Sequence, residues 1–181
     1  VEASRVDAAI GALRAIATMR ADFVQTDAAG RTVSGVMILK RPGRIRFQYK
    51  GVPLLIVSDG AALTVIDYGV AQVQRWPIRS SPLGALLDPS RDMAAYARER
   101  PGGGDGMVSI EMRDPRHPEY GVIALDFVRA PAAPGGMELT GWTALDSQNR
   151  RTIVRLSNQR YGLAVPDQTF TWRDPRPVQR H

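Results

Sequence analysis

The side chains that most often catalyse reactions or bind metal ions are scarce in this sequence. It contains two histidines and no cysteine. His117 lies in the turn-forming run Asp114-Pro115-Arg116-His117-Pro118, and His181 is the last residue. The lack of cysteine excludes disulfides, thiolate catalysis and cysteine-based metal sites. Two separated histidines leave almost no material for a catalytic triad or a metal cluster, so we expect neither a metal nor a catalytic histidine.

The run from Gly102 to Gly106 is rich enough in glycine to suggest a phosphate-binding loop. It lacks the Gly-Lys-Ser/Thr ending of such loops, and it precedes a predicted strand where a phosphate loop precedes a helix. We therefore interpret it as a mobile loop.

The acidic side chains that deserve testing as catalysts fall in turns or at outward positions of predicted strands. Asp59 stands in Ser-Asp-Gly, where its carboxylate is better explained as a cap for turn amides than as a catalytic acid. The sequence shows no combined nucleophile, base and oxyanion donor. We expect a binding protein that needs no cofactor, and not an enzyme. The carboxylates considered are Asp59, Asp67, Asp126 and Glu138.

Composition indicates one globular domain spanning residues 1–181. Apolar residues make up 44% and charged residues 23% of the chain, and no run of about 18 apolar residues suggests a membrane span. The net charge is +6, carried mainly by arginines that are spread along the chain. A nucleic-acid binder would cluster its basic residues and interleave aromatic ones, so we expect no nucleic-acid partner.

The elements begin with a helix and continue as strands. Apolar residues from Val6 to Ala17 recur at three-and-four spacing, which predicts an amphipathic helix. After Met19 the period becomes two, and residues 44–50 place Ile45, Phe47 and Tyr49 on one face. The predicted strands are residues 23–26, 33–39, 44–50, 54–58, 63–68, 70–76, 108–112, 122–128, 137–145, 152–156 and 170–172.

The middle of the chain interrupts the strands with helical signals. Ser81-Pro82 begins a short helix through Leu87, and residues 91–100 predict a second helical piece. Many short strands at regular spacing, with one helix in front and helices in the middle, are typical of the all-β sandwich or barrel class.

An ordered set of motifs in the first half resembles the LolA family of periplasmic lipoprotein carriers. It covers roughly residues 10–90, and the second half agrees only in its succession of hairpins. The motifs are Phe23-Val24-Gln25, Ser34-Gly35, Lys40-Arg41-Pro42-Gly43-Arg44-Ile45-Arg46-Phe47, Val57-Ser58-Asp59-Gly60, Val65-Ile66-Asp67, Gln72 and Pro82-Leu83 to Leu87.

The resemblance implies a mainly β fold with a helical lid, an incomplete, half-open antiparallel β-barrel that covers an apolar cavity. It implies a monomer that takes the acyl chains of lipoproteins from an inner-membrane release complex to an outer-membrane acceptor. The location would be the periplasm, with a signal peptide cleaved before Val1. The loop from Gly102 to Gly106 and the proline-rich tail from Pro166 have no counterpart in the family pattern.

The resemblance also implies a role for Arg41, which matches the family arginine that hydrogen-bonds the lid backbone and keeps the empty cavity closed. The wall of the cavity is predicted from the apolar strand face and the central helix. Each of these side chains has an alternative role as filling of an ordinary core. The predicted wall is Phe23, Ile45, Phe47, Tyr49, Leu63, Val65, Leu83, Leu86 and Leu87.

Three alternatives keep the same fold. The cargo would be another lipid, such as a phospholipid or glycolipid, or the protein would be a lipoprotein-sensing regulator. An enzyme on this scaffold requires polar residues such as Tyr49, Tyr68 and Asp126 to converge inside the cavity.

Overall fold

A computed structural model describes residues 2–78, 81, 83–87, 96–101 and 106–177. Within these residues the chain forms two α-helices, three short 3-10 helices at Pro118–Tyr120, Pro134–Gly136 and Asp167–Phe170, and eleven strands. The helices are α1 (Glu2–Ala15) and α2 (Gly84–Leu87). The strands are β1 (Thr18–Thr26), β2 (Thr32–Lys40), β3 (Arg44–Lys50), β4 (Leu54–Asp59), β5 (Ala62–Asp67), β6 (Gln72–Pro77), β7 (Ala97–Glu99), β8 (Met107–Arg113), β9 (Val122–Arg129), β10 (Met137–Leu145) and β11 (Arg151–Tyr161).

All strands pair antiparallel in one sheet with the order β6-β5-β4-β3-β2-β1-β11-β10-β9-β8-β7. Strands β1 to β6 form one meander, and the chain returns so that β11 pairs with β1 and the second meander runs away from it. In the described part of the chain, β6 and β7 are the two edges and do not pair with each other. The predicted half-open barrel is therefore an open sheet.

One face of the sheet, called the inner face here, is apolar and is covered by helices. Phe23, Phe47 and Trp142 on this face form edge-to-face aromatic contacts, with ring centroids 5.4 Å and 6.1 Å apart for the pairs that share Phe47. Leu13 of α1 and Leu86 of α2 belong to the same buried cluster. Burial of each such side chain stabilises the fold by about 1.5–3 kcal/mol.

Gly35 in β2 permits the close packing of this face. A Cβ atom at Gly35 would lie 2.0 Å from the backbone oxygen of Gln48 and 2.9 Å from a ring carbon of Phe23. The Phe23 ring therefore occupies space that any side chain at position 35 would need.

The opposite, outer face is covered by the C-terminal residues 165–173, called the tail. Phe170 packs with Leu55, Val57 and Ile66 in a second buried cluster. The tail is also tied to the sheet by charge. Lys40 Nζ donates to the Val165 carbonyl (2.6 Å) and to Asp167 (3.0 Å), Arg44 donates to Asp167, and Arg46 donates to the carbonyls of Thr169 (3.0 Å) and Thr171 (3.3 Å).

Two sequence predictions about elements were wrong. Residues 97–99 form a strand and not a helix, because Ala97 and Glu99 pair with Met112 and Ile110 of β8. Residues 170–172 do not form a strand, because Phe170 ends a 3-10 helix and anchors the tail. The rest of the predicted second helix, residues 91–95, and residues 102–105 of the glycine loop lie outside the described residues.

We expect Gly35→Ala to destabilise the protein by about 2 kcal/mol, because the added carbon overlaps backbone that cannot move away cheaply. Gly11→Ala is the matched control. Gly11 lies within α1, and a Cβ atom added there would have no neighbour within 4 Å, so this change should stabilise the protein by about 0.5–1 kcal/mol. Urea denaturation measures both values. Equal effects from the two changes would contradict the packing argument.

The tail should loosen at acid pH. The hydrogen bond from Lys40, and then the charges of Lys40 and Arg44, lower the pKa of Asp167 below its usual 3.8. A lowered pKa in the folded state means that the ion pair stabilises the tail above pH 3.8 and is lost as the pH falls through the lowered value. The indole N–H resonance of Trp172 should therefore shift as the pH falls below 3.8.

Asp167→Asn should shift that resonance at neutral pH already and flatten its acid titration. Asp174→Asn is the control, because Asp174 pairs with Arg176 and not with the sheet. Superimposable titrations for the wild type and Asp167→Asn would show that this ion pair does not hold the tail.

Candidate functional site

Arg41, immediately after β2, joins both helices to the sheet. Its Nη2 and Nε donate to the carbonyl of Leu13 at 2.8 Å and 3.2 Å, and its Nη1 donates to the carbonyl of Leu86 at 3.3 Å. Among the described residues, Arg41 is the side chain that hydrogen-bonds to both helices. Its own amide donates to the carbonyl of Ala17 (2.9 Å), which fixes the start of the side chain beside the end of α1.

Both acceptor carbonyls lie in the last turn of their helices, where carbonyl groups lack a full set of intrahelical partners. The negative end of the α1 dipole also favours a cation there. Burial, and next the charge of nearby Arg14, lower the pKa of Arg41 from its usual 12.5. The guanidinium is therefore a partly desolvated cation whose donors are directed at two helix ends.

Helix α1 has further attachments along its length. Arg5 in its first turn donates to the Met107 carbonyl (2.6 Å) and forms an ion pair with Glu99 (3.3 Å). Ala12 packs closely on Gly135, where a Cβ atom would lie 2.6 Å from the Cα of Ala12. Helix α2 is shorter, and Arg41 supplies its hydrogen-bonded link to α1.

The predicted cavity residues lie on or against the inner face, and most of them fill the space beneath the helices. Phe47 and Tyr49 are buried and also line a cleft, while Leu83 lines the same cleft and is half-buried. Val65 is half-buried and lies outside that cleft. Buried in the main cluster are Phe23, Ile45, Leu63, Leu86 and Leu87.

The cleft opens at one end of the inner face and has a volume of about 280 Å³. This volume is just below the range of about 300–1,000 Å³ typical of small-molecule sites. Among the described residues, most of the inner-face side chains are thus packed against one another, and the cleft is a small, mainly apolar opening. The cleft is lined by Gln25, Phe47, Tyr49, Ile56, Leu83, Trp142, Ala144, Asp146, Arg150, Thr152 and Val154.

A polar pair lies in this cleft. The hydroxyl of Tyr49 donates to Oε1 of Gln25 at 2.7 Å, and the Tyr49 ring packs edge-to-face on Phe23 with centroids 5.2 Å apart. Burial raises the pKa of Tyr49 to about 12, so the hydroxyl remains a donor at all ordinary pH values.

A larger and more polar groove of about 720 Å³ lies beside the first turns of α1. Its wall includes Arg5, Arg129 and Met137. It lies at the other end of α1 from Arg41, and we do not assign the predicted acyl-chain contacts to it.

The polar residues that an enzyme would need inside the cavity do not converge. Tyr49 faces the cleft, whereas Tyr68 packs against the outer cluster beneath the tail. Asp126 forms an ion pair with Arg155 (2.8 Å). His117 contacts Glu119 at 3.0 Å in a turn, and His181 lies outside the described residues. The described residues contain no group of three or more potential metal ligands from histidine, cysteine, aspartate and glutamate.

Sequence reasoning missed eight of the eleven residues that line the cleft, Gln25, Ile56 and Trp142 among them. Gln25 follows Phe23 by two positions on β1, so alternation indicates that it faces inward, but nothing local reveals that its partner is Tyr49. Ile56 and Trp142 reach the cleft from strands on either side of that pair.

No helix in the described part of the chain has the length and apolar character needed to cross a membrane.

Comparisons with known proteins agree with this architecture. An outer-membrane lipoprotein carrier protein from Chromobacterium violaceum is 29% identical over 171 residues, which cover 89% of this chain and 79% of that protein. A conserved protein of Thermus thermophilus has a similar structure, with a TM-score of 0.57 and 11% identity over 98% of this chain and 99% of its own. A LolA superfamily protein of Nitrosomonas europaea aligns with a TM-score of 0.51 and 14% identity over 95% and 98%.

The family described as outer membrane lipoprotein carrier protein LolA matches residues 14–173. That match includes the end of α1, the whole sheet, Arg41 and the tail. The chain therefore belongs to the LolA family.

Proposed function

We propose that this protein carries the acyl chains of lipoproteins through the periplasm, from an inner-membrane release complex to an outer-membrane acceptor, as a monomer and without catalysing a reaction. The observation that carries the proposal is the contact of Arg41 with the ends of both helices that cover the apolar inner face. Family membership and the carrier name of the Chromobacterium relative support it.

In this proposal Arg41 is the lid latch. Cargo enters when the helices move away from the inner face, which breaks the hydrogen bonds to Leu13 and Leu86. Hydrogen bonds that involve a charged group contribute about 1.5–3 kcal/mol each. The latch therefore stabilises the closed state substantially without making opening inaccessible.

Acyl chains have enough apolar surface to replace the helices. The large buried side chains of α1 and α2 include Ile10, Leu13, Leu86 and Leu87, and Ile16 just after α1 is buried with them. Exposing five such side chains costs about 8–15 kcal/mol, and about 10–19 methylenes at about 0.8 kcal/mol each offset that cost. One or two ordinary acyl chains supply that number.

The cavity wall in the open state would consist of inner-face residues that are now covered. Phe23, Ile45 and Leu63 would become accessible beneath the helices, and Phe47 and Tyr49 already reach the cleft. Leu83, Leu86 and Leu87 would move with α2, and Val65 would lie at the margin. This arrangement needs no cofactor.

The test is native mass spectrometry of the protein produced in a periplasm together with one model lipoprotein. The acylated lipoprotein is compared with a form whose acylated cysteine is replaced. We expect a complex with the acylated form alone, because the acyl chains supply the buried surface. Small lipid adducts without lipoprotein would favour a phospholipid or glycolipid carrier. The lack of any adduct would contradict a carrier role and leave the regulator and enzyme alternatives.

Removal of the latch should make the interior easier to enter. We expect Arg41→Leu to lower the melting temperature of the empty protein and to raise its apparent affinity for a fluorescent fatty acid about tenfold, because a larger fraction is open. Fluorescence titration and thermal unfolding measure the two effects.

Arg46→Leu is the matched control. Arg46 lies on the next strand and holds the tail on the outer face, and its hydrogen bonds within the described part of the chain do not involve either helix. It should reduce stability without raising the fatty-acid affinity. If the two variants bind the probe with equal affinity, Arg41 is an ordinary structural residue.

A further inference from the structure

Gln25 and Tyr49 form a polar pair in the mainly apolar cleft, and this pair has an unused donor. Oε1 of Gln25 accepts the Tyr49 hydroxyl at 2.7 Å. The Gln25 side-chain amide nitrogen has no hydrogen-bond partner among the described residues, although Gln25 lines the cleft. A free amide donor is thus present in a wall otherwise formed largely by aromatic and aliphatic side chains.

The orientation of Gln25 is fixed by Tyr49. The Tyr49 ring is held by its edge-to-face contact with Phe23 and is buried, with 5% of its surface exposed. Its protonated hydroxyl needs an acceptor, and Oε1 of Gln25 is the one it has. Because the oxygen of the Gln25 amide is committed to Tyr49, the NH₂ group remains for a ligand.

The charged groups of the cleft, Asp146 and Arg150, are already paired with each other. Asp146 accepts hydrogen bonds from the amides of Gln148 and Arg150, both at 2.9 Å, and its second oxygen accepts from Arg150 Nε at 3.1 Å. These contacts close the turn between β10 and β11. They form a polar rim, whereas the Gln25 donor lies among the cleft residues Phe47, Tyr49 and Trp142.

We propose that Gln25, oriented by Tyr49, donates a hydrogen bond to the carbonyl oxygen of the ester or amide group that links an acyl chain to its head group. This inference rests on the proposed function and adds a specificity to it: the site would distinguish ester- or amide-linked acyl chains from ether-linked alkyl chains. A ligand that fills the cleft removes water from the Gln25 amide. A ligand with an acceptor at that level replaces the lost hydrogen bond, whereas a ligand without one leaves the amide buried and unsatisfied.

The position of Gln25 along β1 suits this role. Gln25 is the next-to-last residue of the strand, and Phe23 lies two residues deeper on the same face, about 7 Å away along a strand. A carbonyl at Gln25 would place the following methylenes against Phe23 and Phe47, and the head group toward the rim at Asp146 and Arg150. The two ends of an acylated ligand thus match the two environments.

The experiment is isothermal titration calorimetry of the whole protein with dioctanoyl glycerophosphocholine and with its dioctyl ether analogue. These lipids share a head group and differ in the linkage carbonyls. We expect the wild type to bind the ester about tenfold more tightly than the ether. Gln25→Leu should bind the ether with at least wild-type affinity and lose the preference for the ester.

Tyr49→Phe gives a second, independent variant, because it removes the hydroxyl that orients Gln25 and keeps the ring. It should reduce the preference for the ester. Thr26→Val is the matched control, since Thr26 follows Gln25 on β1, faces the other side of the sheet by alternation and does not line the cleft. It should keep the full ester preference.

An equal affinity of the wild type for ester and ether, or an unchanged preference in Gln25→Leu, would overturn the inference and leave the carrier proposal standing. Binding of neither lipid by the wild type would also overturn the inference, whereas the carrier proposal is decided by the native mass spectrometry with the acylated lipoprotein. Loss of ester preference in Thr26→Val as well would assign the effect to general disturbance of β1 and overturn the specific role of Gln25.

Discussion

The apolar inner face of the sheet must be kept from water, and this constraint determines the positions of the other elements. An open sheet can cover such a face only with elements outside the sheet, and here these are α1 and α2. Covering the face brings the ends of both helices into a partly buried environment, where their carbonyl groups need donors. Arg41 supplies those donors from the end of β2, so one side chain joins the cover to the sheet and the two helices to each other.

The two faces of the sheet are covered by different means. On the outer face, three basic side chains of β2 and β3 bind the tail, and Phe170 fills a pocket between the strands. On the inner face, much of the contact is apolar packing, which has no directional requirement. Apolar packing can be exchanged for other apolar groups at little cost, whereas the charged contacts of the tail require specific partners. Helices α1 and α2, which cover the inner face, are therefore better suited than the tail to replacement by a ligand.

Local patterns predicted the sheet well, because alternation is a property of neighbouring residues. The strand Arg44–Lys50 has the bounds expected from Ile45, Phe47 and Tyr49. The tail was mispredicted because Arg46 and its acceptor Thr169 are 123 residues apart, and no local signal announces such a contact. The sequence of Ala97–Glu99 predicts a helix, but these residues form a strand because they pair with β8. The site followed the same rule: alternation places Gln25 on the inner face, and only the fold places Tyr49 beside it.

A filled interior is compatible with a carrier and explains how such a protein would release its cargo. In the proposed function, the helices and the acyl chains compete for the same inner face, so the net binding energy is the difference between two large apolar terms. That difference is small enough for an acceptor with similar apolar surface to take the cargo. Closure after release restores the hydrogen bonds from Arg41 to the carbonyls of Leu13 and Leu86 and covers the apolar inner face again.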